Sequence, residues 1–182
     1  RSPQAAELSV PPRVRHPARP SSPARLGVAA TSVGVVLNGT TMRSNRALTG
    51  GALHISGGDA VLVDCTITSN TGEYSGGGVY KGGSGALVVY NSTLSGNLVT
   101  HHSHEGFGGG IRLQRGTLAL HGSALTHNVV TRDHGHALYV EASVADWAVS
   151  IDAQTEVLRG SSAVGGTLIR ANGVAVEYAC TN

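Results

Sequence analysis

The chain has 182 residues and a formal charge of only +2, too small a positive excess to argue for nucleic acid as a partner. No stretch approaches the roughly 20 apolar residues of a membrane helix, so no transmembrane segment is expected. Aromatics are scarce (one Phe, one Trp, five Tyr) and Gly reaches 26, so the core must come from Val, Leu, Ile and Ala, a composition that suits layered repeats.

In chain order, the first element is a tail. All six prolines (Pro3, Pro11, Pro12, Pro17, Pro20, Pro23) lie in the first 23 residues, and every glycine follows them. Residues 1–35 also hold five arginines against Glu7 alone, which leaves the remainder slightly acidic. Proline removes donors and fixes φ, so "PPRVRHPARPSSPAR" cannot form a helix or a central strand. Residues 1–35 read as a disordered or extended tail. A targeting peptide would share this Arg- and Ser-rich makeup, but neither an apolar h-region nor a helical period is present.

Residues 36–182 repeat three phrases. "MRSN", "ITSN", "LSGN" and "LTHN" end on Asn45, Asn70, Asn97 and Asn128, spaced by 25, 27 and 31 residues. "GGALHI", "GGVY", "GGIRL" and the degraded "GHALYV" interleave with them, and "AVLVDC", "ALVVYNS" and "TLALHGS" follow. The closing "GGTLIRANGVAVEYACTN" returns to the opening of the repeat. The segments are rich in Val, Ile, Leu and Thr with a period of two and no helical pattern. At about 3.3 Å per residue a 25-residue unit gives near 80 Å of path, one turn of a three-sided coil and too little for a propeller blade. The reading is all-β: a right-handed parallel β-helix of five to six rungs, three short strands each.

Aligning the phrases assigns sides. Leu62, Val89 and Leu120 form one inward file; Met42, Ile67, Leu94 and Leu125 form another; Cys65, Ser92 and Ser123 form a narrow third near a corner. The asparagines close a strand at a turn, where Asn tolerates the left-handed region and can pair its amide along the axis. Gly50, Gly51, Gly77, Gly78, Gly109 and Gly110 occupy the next turn, where positive φ or close coil contact excludes a Cβ.

Paired GGA(I/L) and FxxN phrases on a β-helix resemble the polymorphic outer-membrane protein family of chlamydial type. The phrases that carry the likeness are Gly50–Gly51–Ala52–Leu53, Gly77–Gly78–Val79–Tyr80 and Gly109–Gly110–Ile111–Arg112, with the four asparagines, over roughly residues 36–182. The Phe of FxxN is replaced by Met42, Ile67, Leu94 and Leu125, and "VLRG" at 157–160 lacks its Asn. The resemblance implies an adhesive, secreted or cell-surface passenger and a longer parent with more rungs. The chain begins with Arg, as a processed product or a fragment would, and its last phrase stops mid-rung, so either more rungs follow in the parent or the end is capped.

Cys65 and Cys180 fall about four rungs, or roughly 19 Å, apart, beyond the ~7 Å that a disulfide tolerates between Cα atoms, so two free thiols are expected. Asn38 ("NGT") and Asn91 ("NST") are acceptor sequences for N-glycosylation, of a kind that arises by chance in a Gly/Ser/Thr-rich chain.

The loops between Asn and the next Gly-Gly vary most and should stack along one edge. They gather Glu73, Tyr74, His101, His102, His104, Glu105, Asp133 and His134 as candidate binding residues. A divalent metal held by His101 or His102, His104 and His134 competes with a solvated polar loop; the solvated loop is preferred, and no metal or cofactor is assigned. A pectate-lyase-like polysaccharide-binding or -cleaving protein is the main rival, but the outward strand rows hold no acidic file. Outward Thr66, Thr68, Thr93 and Ser95 raise ice binding, which Arg43 and Ala124 interrupt. The expectation is a non-enzymatic β-helix that presents its loop edge to a host or cell-surface protein or glycan.

Overall fold

In the computed structural model of the protein, which describes residues 34–100, 106–131, 135–141, 148–159, 169–171 and 174–176, each short apolar segment pairs in parallel with its counterpart one turn later. The first sheet contains β1 (Val35–Asn38), β5 (Ala60–Val63), β9 (Ala86–Tyr90), β13 (Thr117–His121) and β16 (Ala148–Ile151). The second contains β2 (Thr41–Arg43), β6 (Thr66–Thr68), β10 (Thr93–Ser95), β14 (Ala124–Val130) and β17 (Glu156–Arg159). It bends round a corner into β3 (Arg46–Thr49), β7 (Thr71–Ser75) and β11 (Leu98–Val99), and β14 runs through that corner unbroken. The third contains β4 (Leu53–Ile55), β8 (Val79–Lys81), β12 (Ile111–Leu113), β15 (Leu138–Val140) and β18 (Ile169–Ala171). These three sheets wind through about four turns, fewer than the five to six rungs expected.

The end of the chain also departs from expectation. β19 (Val174–Val176) runs antiparallel to β18 and does not open another parallel rung. Asn172 and Gly173 separate the two strands in sequence, and Asn-Gly is the strongest short hairpin signal. This local preference outweighs the likeness to the earlier phrases.

Register explains why units of unequal length still stack. Val35 opposes Ala60, Thr41 opposes Thr66 and Arg46 opposes Thr71, a constant offset of 25. On the next turn Val61 opposes Val88, Thr66 opposes Thr93 and Thr71 opposes Leu98, each offset by 27. One extra residue enters within the β3–β7 pair, between Ala47 and Thr49, and another at the turn from the third sheet to the first, so the inward files are not broken.

Alternation then fills the interior. Leu37, Leu62, Val89, Leu120 and Ile151 form one file; Met42, Ile67, Leu94, Leu125 and Val157 form another; Leu53, Val79, Ile111 and Leu138 form a third. Each fully buried Leu, Ile or Val contributes about 1.5–3 kcal/mol over an exposed one, and each meets its like only in the rung above or below. A narrow polar file runs beside them: Cys65 N–H donates to Ser92 Oγ (2.9 Å), Ser92 N–H to Ser123 Oγ (3.2 Å) and Ser123 N–H to Thr155 Oγ1 (3.3 Å). Cys65 is a buried free thiol; Cys180 lies outside the described residues.

The asparagine corner differs from expectation in one respect. The left-handed residue is the one before each asparagine: Ser44, Ser69, Gly96 and His127, with φ of 55°, 54°, 63° and 55°. That residue turns the chain, and the asparagine side chain is left to face inward. Asn45, Asn70 and Asn97 each pass their amide to the next Oδ1, at 3.0, 3.0 and 2.9 Å. Further Nδ2 bonds run from Asn70 to Met42 O, from Asn97 to Ile67 O and from Asn128 to Leu94 O. At the next corner positive φ falls on Gly50, Gly76 and Gly108, the last two one residue ahead of the expected pairs Gly77–Gly78 and Gly109–Gly110, and Gly77 has no room for a side chain because a Cβ would lie 2.4 Å from Gly109 O.

Candidate functional site

Because strand side chains alternate, each sheet presents one outward row or two, and the three faces differ in chemistry. The first sheet is largely apolar: Val36, Val61, Val88 and Ala119 in one row, and Tyr90 stacked on His121 in the other, ring centroids 4.8 Å apart. The second carries hydroxyls: Thr41, Thr66 and Thr93 in one row and Thr68, Ser95 and Thr126 in the other, with Ala124 and Arg43 at the ends.

The third sheet is aromatic and cationic. One residue per rung, His54, Tyr80, Arg112 and Tyr139, stands outward in register. The His54 and Tyr80 rings are 4.6 Å apart. The Arg112 guanidinium sits among three rings, 4.6 Å from the centre of Phe107, 5.7 Å from Tyr80 and 5.8 Å from Tyr139. Phe107 reaches this face from the loop edge and packs on Tyr139 at 4.5 Å. A second line of polar groups fixes the first: Arg112 Nη2 donates to Glu141 Oε2 at 2.6 Å, the Tyr80 hydroxyl donates to Gln114 Oε1, and Thr49 Oγ1 lies 2.7 Å from His54 Nδ1. Burial raises the Tyr80 phenol above its usual pKa; Arg112 opposes this and Glu141 adds to it. Tyr80 therefore stays a neutral donor well into the alkaline range.

Of the residues expected at the loop edge, Glu73 lies on β7 and pairs with Arg46 at 3.1 Å. Tyr74 is exposed beside it, and its carbonyl accepts the Phe107 N–H at 3.4 Å. His101, His102, His104, Glu105, Asp133 and His134 lie outside the described residues. Among the described residues no three His, Cys, Asp or Glu side chains are gathered for a metal ion. Asn38 and Asn91 are both exposed, at the corner between the first and second sheets, and Asn91 has a φ of 45°.

The third-sheet row was readable by aligning "LHI", "VYK", "IRL" and "LYV", whose middle residues are its members. A row of His, Tyr, Arg and Tyr matches no ligand spacing, so the repeat alone does not mark it as a site.

Comparison of the chain with protein families, with curated proteins and with solved structures finds no match in any of the three. The likeness to the polymorphic outer-membrane proteins therefore rests on the repeated phrases alone.

Proposed function

We propose that this chain is a non-catalytic, adhesin-like β-helix segment of a secreted or surface protein, which holds an extended glycan along the outer face of its third sheet. The observation that carries the reading is the in-register row His54–Tyr80–Arg112–Tyr139. Its members stand one rung apart, about 4.8 Å; Tyr80, Arg112 and Tyr139 lie on strands hydrogen-bonded from both sides and His54 on the end strand β4, so the row is preorganised. Rings with polar edges, an arginine and carboxamide or carboxylate neighbours are the groups that hold a sugar's apolar face and its hydroxyls together. The acids nearby are engaged in ion pairs, Glu141 with Arg112 and Glu73 with Arg46, which suits holding a chain better than transferring protons to it. Further rungs in a longer parent would extend the same row.

A glycan array followed by calorimetry on the best ligand tests this. Tyr80→Ala and Tyr139→Ala are expected to weaken binding at least tenfold, while Thr66→Ala, on the second sheet, leaves it unchanged. A ligand whose affinity ignores both tyrosines, or the lack of any glycan ligand for the folded chain, would overturn the proposal.

A further inference from the structure

Twelve of the 13 basic residues are arginines, and the sole lysine, Lys81, is fully buried in an apolar file between Ile55 and Leu113. Its stem lies in that file and its ammonium emerges at the turn toward the first sheet. There Nζ donates to three successive carbonyls, Gly82 O at 3.0 Å, Gly83 O at 3.0 Å and Ser84 O at 2.8 Å. An ammonium has three donors, so none remains unused. Three consecutive carbonyls converge on one point only where the chain curls tightly, and Gly83 and Gly85 supply φ of 63° and 95°. Asp59, one rung away, accepts the Ala86 N–H at 2.8 Å and places a negative charge near the ammonium. The corresponding file positions hold Ile55 and Leu113, so the neighbouring turns have no cation to enclose.

The turn also touches the third-sheet row. Gly82 packs under the phenol ring: a Cβ there would lie 2.9 Å from Tyr80 Cε1.

We propose that the Gly82–Ser84 turn is a binding site for a primary ammonium group, that Lys81 is its tethered ligand, and that the chain's sole lysine is thereby closed to amine chemistry while it locks the corner beneath Tyr80. The proposal stands on the turn geometry and holds whether or not the third sheet binds a glycan.

A sole lysine makes the test direct. The folded protein is expected to give one protected ammonium cross-peak in a ¹H–¹⁵N spectrum near pH 7. Acetylation with an N-hydroxysuccinimide ester should modify the α-amine and leave Lys81 untouched until guanidinium unfolds the chain. Acylation of Lys81 in the folded protein at the unfolded rate would overturn the proposal. In Lys81→Ala the tether is gone, and n-propylammonium chloride should raise Tm above its value in equal tetramethylammonium chloride, with no such preference in the wild type. Equal responses to the two salts, or the same preference in the wild type, count against the site. If the alanine variant does not fold, Lys81→Met keeps the apolar stem and leaves the carbonyls without a donor; it should melt several degrees lower at neutral pH, and a Met variant as stable as the wild type rules the idea out.

Discussion

The side-chain oxygen of Asn97 accepts two hydrogen bonds from Asn70, one from its main-chain N–H and one from its carboxamide, each at 3.0 Å. Asn97 repeats the relationship toward Asn128, so Asn70, Asn97 and Asn128, all fully buried, each donate and accept. Replacing Asn97 with Leu strands the Asn70 donors, Ile67 O and an acceptor site on Asn128. At about 1–3 kcal/mol for a buried group left unpaired, a loss of about 3 kcal/mol is expected, read as a lower urea midpoint. Asn45→Ala, at the half-buried end of the file, should cost about 1 kcal/mol or less. Equal small losses at both positions would mean that the amides do not act as a connected file.

Two glycines separate strain from crowding. At Gly39, φ is 58° and a Cβ would meet nothing within 4 Å, so Gly39→Ala should cost only the left-handed penalty of about 1–2 kcal/mol. At Gly77 a Cβ would meet Gly109 O at 2.4 Å and Leu98 O at 2.7 Å, both backbone atoms of the next rung. Relief there requires two rungs to part, and Gly77→Ala should cost more than about 4 kcal/mol or abolish folding. Thermal unfolding of the two variants side by side checks the ordering.

What was legible in the sequence was whatever repeats. Leu62, Val89 and Leu120 align because a parallel coil maps like onto like, and the same arithmetic places Ile67, Leu94 and Leu125. Departures came where one local preference acts against the repeat. Asn172–Gly173 favours a hairpin, and β19 turns back on β18. Ser44 and Ser69 take the left-handed φ that was assigned to their asparagines, because an inward carboxamide is worth more than an easy turn. Lys81 could not be foreseen as buried: in "GGVYKGG" it reads as a turn residue, and only the register with Ile55 and Leu113 puts it inside. The Arg112 site is not legible in the repeat because Phe107 joins it from a loop whose length differs from rung to rung.

The two ion pairs differ in setting and should differ in worth. Arg46 and Glu73 are exposed at 65% and 38% of their side-chain areas, and Arg112 and Glu141 at 15% and 33%. A double-mutant cycle on the first should give a coupling below about 0.5 kcal/mol that vanishes in salt. On the second, water is displaced by Phe107, Tyr80 and Tyr139, and a coupling of about 1–2 kcal/mol is expected. Arg112→Lys should forfeit much of it, since an ammonium keeps the charge but not the planar guanidinium that sits over the Phe107 ring.

Burial lowers the pKa of Lys81 below the ordinary lysine value of about 10.4, and Asp59 opposes this without reversing it. The sign of the consequence is fixed by linkage. Over the alkaline interval from the folded-state pKa up to the ordinary one, the unfolded chain holds a proton that the folded chain has released. Unfolding then takes up a proton, and stability rises with pH across that interval. Tyr80 is retained in Lys81→Met, so its contribution largely cancels in the difference between the two proteins. That difference should be flat near neutrality and grow in favour of the wild type as pH climbs toward 10, in guanidinium midpoints taken at one-unit steps. A difference that shrinks instead would mean that the three carbonyls hold the charged form more strongly than burial disfavours it.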